Sequence, residues 1–140
     1  MRAVIAILVI GVGAFVAQAQ SARSTRDGVY TAAQAARGSA TYTVYCTMCH
    51  MDDLSGGGTF GMETAPPLRR EGFMAGRDLN NIYTLIKGSM PADNPGTLDA
   101  QAYVDVIAFI LQQNGYPAGA TELRPEAGPL TAIKIPEATQ

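Results

Sequence analysis

The chain has 140 residues, enough for one domain and too few for two comfortable ones. Its 10 Lys+Arg against 12 Asp+Glu give a formal net charge of −2, and nothing in it suggests nucleic-acid binding, which calls for a basic face. No charge run, low-complexity tract or internal repeat stands out.

Met1-Arg2, an apolar run from Ala3 to Ala17 and the triplet Ala17-Gln18-Ala19 have the order of a secretory signal: positive start, apolar core, small-x-small cleavage site. Residues 1–19 are therefore predicted to be a signal peptide, and the protein to work in the periplasm. The apolar run is short against the ~20 residues that span a bilayer, so stable membrane insertion is not expected; a retained anchor is the alternative. Cleavage would remove Arg2 and leave the chain more acidic. Residues 20–30 are polar and predicted to be a flexible mature N-terminus.

Thr31 is a good helix cap, and the alanine-rich run behind it predicts a helix toward Cys46. Gly38 falls inside that helix, where it costs about 1 kcal/mol relative to Ala. A helix keeps such a glycine when another backbone comes close; the alternative is a break at Gly38. Tyr42, four residues on, shares its face.

Both cysteines and the only histidine fall in the next five residues, Cys46-Thr47-Met48-Cys49-His50. C-x-x-C-H is the sequence form of c-type haem attachment. Two thiols one turn apart can add to the two haem vinyl groups, and the following imidazole can ligate the iron. Three other readings compete. A thioredoxin-like pair wants a βαβ pattern, but helix precedes Cys46 and no strand pattern follows. Zinc usually needs four ligands, and the cysteines and histidine are already used. A plain disulfide leaves His50 unexplained.

Gly56-Gly57-Gly58-Thr59-Phe60-Gly61 is a loop, and Pro66-Pro67-Leu68 continues without helix. Asp78 caps a short helix with Leu79, Ile82, Tyr83 and Ile86 on one stripe, predicted to end at Gly88. Met90-Pro91 and a turn-rich loop follow. The last helix is predicted from Asp99 or Ala100 to Gln113, with Tyr103, Val106, Ile107, Ile110 and Leu111 at helical spacing and Asn114-Gly115 as its stop. Residues 120–140 are predicted to be an extended tail along the surface.

In this order of features the chain resembles the class I c-type cytochromes over residues 31–119. The resemblance rests on Gly38 and Tyr42 ahead of the haem motif, the motif itself, the P-x-L element, a short helix before Met90 and a final helix. It implies an all-α fold in which the first and last helices cross over one covalent haem c, with Gly38 and Tyr42 packed on Tyr103 and Ile107. The stretches Lys87–Gly96, Tyr103–Leu111 and Asn114–Gly119 are similar to the cytochromes that accompany quinoprotein dehydrogenases, the pyrroloquinoline quinone-dependent alcohol oxidisers. Relatives often carry a tryptophan between the P-x-L element and the short helix; this chain has none.

The resemblance implies a cofactor site of Cys46, Cys49, His50, Pro66, Leu68 and Met90. His50 is the proximal iron ligand and Met90, by position, the distal one; Met62 and an open site are the alternatives. The Pro66 carbonyl accepts the proximal His N–H, with Pro67 as competitor, and Leu68 packs on the haem. Tyr83, Ile86 and Phe109 are further pocket candidates. The expected function is single-electron transfer from a periplasmic dehydrogenase toward a terminal oxidase or another cytochrome, without catalysis. Two alternatives are a haem subunit fixed in a dehydrogenase complex, and a haem enzyme or gas sensor with an open distal site. With only two lysines, Lys87 and Lys134, no basic ring steers the partner. Arg69, Arg70 and Arg77 could form a local patch, and apolar contact is expected at the Met90 loop and Pro91.

Overall fold

A computed structural model describes residues 22–60, 63–70 and 72–137. The predicted signal peptide and Met62 lie outside the described residues. In chain order the elements are β1 (Arg23–Ser24), a 3-10 turn (Thr25–Asp27), α1 (Ala32–Tyr45), α2 (Thr47–His50), β2 (Thr59–Phe60), β3 (Glu63–Thr64), α3 (Leu79–Ser89), α4 (Ala100–Gln113), α5 (Ala127–Thr131) and β4 (Ile133–Lys134).

Each long helix starts where a short oxygen-bearing side chain can take an orphan N–H. Thr31 accepts from Gln34 N–H, Asp78 from Asn81 and Asp99 from Ala102, at 3.1, 2.9 and 2.9 Å. Helix α1 runs unbroken through Gly38. Helix α3 passes the predicted stop at Gly88 by one residue. It ends where Met90 turns extended, as a residue before proline prefers.

Helix α4 is the centre of the core. Residues 103–111 are all buried, and a helix apolar nearly all round must be enclosed. Fully burying each Val, Ile, Leu or Phe contributes about 1.5–3 kcal/mol. Helices α1 and α4 cross at Gly38, where an added Cβ would overlap the Asp105 carbonyl and lie 2.9 Å from Val106 N. The crossing is as expected, but its contacts are shifted. Gly38 meets the Asp105–Val106 backbone, and Tyr42 packs with Val106 and Phe109 in a cluster that also holds Leu54, Phe73 and Ile110. Tyr103 and Ile107 belong to a second cluster, with Tyr30, Ala35, Leu79 and Ile82.

Asp105 lies inside this crossing and is 5% exposed. Arg37 Nε reaches its Oδ2 at 2.9 Å, while Gln34 and Gln101 amides donate to Oδ1 at 3.0 and 2.8 Å. Burial works against its charge, yet these donors hold the carboxyl below its ordinary value.

Both ends of the described stretch are built into the fold, which corrects two expectations. Residues 22–30, expected to be flexible, form β1, which pairs in parallel with β4, and bury Thr25, Val29 and Tyr30. The tail, expected to lie extended along the surface, contains α5 and β4 and buries Leu123, Leu130, Ile133 and Ile135. The Gln34 side-chain amide holds it as a strand would, accepting from Leu123 N–H at 2.8 Å and donating to its carbonyl at 2.9 Å. Arg37 grips Glu122 at 2.9 Å, and Lys134 pairs with Asp78 at 3.0 Å. A cavity of about 320 Å³ lies between the two ends, floored by Val29, Leu123, Leu130 and Ile133. No residue of the Cys46–His50 motif lines it.

Candidate haem site

The motif sits on a helical turn that restarts at Cys46. Cys46 caps α1, its N–H bonded to Tyr42 O at 2.9 Å, but its φ of −124° breaks the helical path before α2 begins. Cys49 and His50 N–H both return to the Cys46 carbonyl, at 3.2 and 2.9 Å. Cys46 and Cys49 are not joined to each other, and both are half-buried. Burial pushes the Cys46 thiol up to about 11, with the neighbouring Cys49 adding to the shift.

The chain then reverses sharply. Met51 has φ +61°. Its carbonyl accepts the Tyr42 hydroxyl at 2.9 Å and Leu54 N–H at 3.2 Å. The glycine loop folds back over the motif. Gly58 N–H donates to the Cys49 carbonyl at 2.9 Å, and a Cβ at Gly58 would stand 2.5 Å from Cys49 Cα. Gly57 N–H and Gly58 O bond in turn to Ala65, at 2.9 and 2.7 Å. The glycines thus let the residues before the P-x-L element lie against the motif.

That arrangement decides the state of His50. The imidazole is buried, 6% exposed, and its Nδ1 lies 3.0 Å from the Pro66 carbonyl. A carbonyl can only accept, so Nδ1 carries a proton, and in the neutral imidazole Nε2 is then the bare nitrogen. Only a bare nitrogen can ligate a metal. The hydrogen bond therefore selects the tautomer and aims the ring.

Leu68 is half-buried and packs with Cys46 against the Tyr42–Phe109 cluster. Its N–H donates to Leu54 O at 2.9 Å, and its carbonyl accepts Asn114 Nδ2 at 2.8 Å. Asn114 Oδ1 also accepts Arg70 N–H at 3.1 Å. The structure thus brings together Cys46, Cys49, His50, Pro66 and Leu68. Met90 is carried by a different element, the turn after α3. Its N–H bonds Ile86 O at 2.8 Å, and its carbonyl accepts the Tyr103 hydroxyl at 2.9 Å and Gly96 N–H at 3.3 Å. Tyr83 and Phe109 are buried and Ile86 half-buried.

Asn114, Tyr103 and the Tyr42 hydroxyl were not read as supports of the site. Asn114 reads in sequence as a helix stop, and the two tyrosines as core. Nothing in their spacing signals which carbonyl they reach.

Among the described residues no three His, Cys, Asp or Glu side chains are grouped to hold a metal ion, and the cysteines form no disulfide. Two unbonded thiols one turn apart, followed by an imidazole with Nε2 bare, fit a covalently attached haem. Comparison with protein families agrees: the model of the family described as "Cytochrome C oxidase, cbb3-type, subunit III" matches residues 33–110. The chain belongs to this family. It is a class I c-type cytochrome with the all-α fold of that class, and one haem c is bound through Cys46 and Cys49. No curated protein and no solved structure matched the chain.

The matched stretch runs from the first turn of α1 into α4, so it spans the helix crossing and everything between. Cytochrome domains of this type are typically electron carriers and usually extracytoplasmic. Among the described residues no helix is long and apolar enough to cross a membrane.

The surface of this cytochrome corrects one expectation. Pro91, expected at the partner contact, is buried. Among the described residues, the large apolar side chains that do face solvent are Val44, Tyr45 and Met48, at 71%, 52% and 87% exposure, and Leu85 on α3. Three of these four flank the attachment cysteines, in a stretch from Gly38 to Met51 without a single acidic or basic charge.

Proposed function

We propose that this cytochrome is a periplasmic single-electron carrier whose haem iron is held by His50 and Met90. The observation that carries the reading is the His50–Pro66 hydrogen bond at 3.0 Å, which leaves Nε2 as a ligand beside two unbonded cysteines. Bound haem c supplies a one-electron couple, and a His/Met ligand pair sets it at a raised potential. The chain's part is to hold both ligands and to present one face to a partner. Pro66 fixes the imidazole, and α3 with α4 fixes the backbone of Met90.

The donor in this reading is a dehydrogenase and the acceptor a terminal oxidase or another cytochrome. The likeness of Lys87–Gly96 and Tyr103–Leu111 to cytochromes that accompany quinoprotein dehydrogenases supports an alcohol-oxidising donor. The contact surface is the uncharged apolar patch of Val44, Tyr45 and Met48. A second reading, a haem subunit held in a larger complex, draws on the description of the family as an oxidase subunit. Gel filtration after mild extraction separates the two.

The ligand set is tested by Met90→Ala. This variant should lose the sulfur-to-iron charge-transfer band, have a lower potential and bind carbon monoxide when reduced. Met74→Ala should keep the band and stay closed to the gas. A Met90→Ala protein that retains the band overturns the assignment and favours an open or differently ligated iron.

A further inference from the structure

Among the described residues one side-chain hydrogen bond joins helix α4 to the backbone of Met90. The Tyr103 hydroxyl donates to the Met90 carbonyl at 2.9 Å. Among the described residues that carbonyl has one other partner, Gly96 N–H at 3.3 Å, which belongs to the same loop. We propose that Tyr103 is a positioning residue for the distal iron ligand: its hydroxyl fixes the Met90 backbone, and with it the place the sulfur can occupy. The inference rests on the reading of Met90 as that ligand.

The geometry suits the role. Tyr103 is 0% exposed, and its ring stands edge-on to Tyr83 with centroids 6.3 Å apart. It sits at the start of the buried stretch of α4, so the hydroxyl is held on both sides by packed core. Met90 is the first residue beyond α3. Its N–H is tied back to Ile86 at 2.8 Å, while its own φ and ψ, −127° and 151°, are extended. Helix α3 therefore fixes one side of the residue and Tyr103 the other. Without the hydroxyl the Met90 carbonyl keeps only its bond to Gly96, within its own loop. Groups that hydrogen-bond a ligand-bearing residue orient the ligand in this way.

The plain structural account is that a buried tyrosine hydroxyl simply needs an acceptor. Tyr30 provides the comparison. It is equally buried, and its hydroxyl donates to the Tyr116 carbonyl at 2.5 Å, away from the Met90 turn. The experiment uses oxidised, full-length, haem-loaded protein titrated with imidazole, which competes with the methionine for the iron. Loss of the sulfur-to-iron band is the readout. Tyr103→Phe should bind imidazole about two- to tenfold more tightly than the parent, the factor of one net hydrogen bond. Tyr30→Phe should bind it as the parent does, although its melting temperature falls. Equal imidazole affinity in Tyr103→Phe and the parent overturns the proposal. So does an equal shift in both variants, which would mark a general loss of stability. A parent without the band, or a Met90→Ala protein that keeps it, is a different result and removes the Met90 reading itself.

Discussion

Gly38→Ala tests the helix crossing on which the whole site is hung. By helix propensity the change should stabilise α1 by about 1 kcal/mol. The structure predicts the opposite. The added methyl would fall on the Asp105 carbonyl carbon and oxygen and 2.9 Å from Val106 N, and all three are backbone atoms of a helix. No rotamer change relieves the clash. Ordinary carbon contact needs about 3.5 Å, so the two helices must part by more than about 1 Å. A radial gap of 0.5–1 Å already forfeits about a quarter to a half of each van der Waals well along the seam. Here the seam includes Tyr42 against Phe109, ring centroids 5.1 Å apart, and Arg37 on Asp105 at 2.9 Å. Overpacking costs typically about 1–3 kcal/mol and sometimes more; with the seam opened along two 14-residue helices we expect a net loss of at least about 3 kcal/mol. For a domain of this size that lowers the melting point by about 10 °C or more. Gly88→Ala is the matched control. No atom outside its own helix lies within 4 Å of the added Cβ, and the residue is exposed near the end of α3, so it should gain up to about 1 kcal/mol. Thermal unfolding of both haem-loaded variants decides the matter. A Gly38→Ala protein as stable as the parent would mean that the helices do not approach as described.

Three further outcomes follow from the same contacts. Asn114→Ala leaves the carbonyl of Leu68 and the N–H of Arg70 without their side-chain partner; it should cost about 1–3 kcal/mol in chemical denaturation, and a loss below about 0.5 kcal/mol would show that water replaces the amide. Asp105 has a native carboxyl value held below its ordinary 3.8. Its contribution is therefore complete above the unfolded value and is lost as pH falls through the lower native one. Stability should drop more steeply below about pH 4 in the parent than in Asp105→Asn, and parallel acid limbs would remove the carboxylate from the account. Reduction by the natural donor should slow less than about threefold between roughly 0.01 and 0.1 M salt, because the exposed patch beside the cysteines is uncharged. A drop of about tenfold would instead make Arg69, Arg70 and Arg77 the first residues to neutralise.

The long helices and the haem motif were legible because their signals are local. Thr31, Asp78 and Asp99 cap where short oxygen-bearing side chains should; Gly38 signalled a close backbone approach, and the crossing itself is what the resemblance implies. What escaped depends on partners distant in the chain. Leu123 and Leu130 share no period, and the Ile133-Lys134-Ile135 alternation is too short to read as a strand, so little in the tail announces burial. Ile133 is inside where β4 pairs with β1, and Leu123 where Gln34 holds its backbone. Asp105 is the one charge within the buried stretch of α4, and it is sealed by Arg37, Gln34 and Gln101, two of them on another helix. Pro91 was placed at the surface by its loop-like neighbours, whereas the bond between Met90 and Tyr103 draws that turn against α4. Within the site, the His50–Pro66 pairing follows the order of the motif and the P-x-L element. The supports on α4 could not be seen, since a sequence shows which side chains can donate and not which carbonyl comes within reach.

Those supports give α4 a role that its apolar sequence conceals. Near its start, Tyr103 holds the carbonyl of Met90; just past its end, Asn114 holds the carbonyl of Leu68, two residues beyond the proline that fixes His50. Between them lies an unbroken buried stretch with the density and low compressibility of a protein interior. A helix so enclosed moves as a rigid bar, so the Met90 turn and the P-x-L segment, which carry the proposed ligand and the support of His50, are referred to one body rather than to two loops free to drift apart. Helix α1, locked to that bar at Gly38 and Asp105, delivers the cysteines and the histidine to the same frame. A change that tilts α4 should therefore disturb His50 and Met90 together, and a change confined to either clamp should disturb one of them alone.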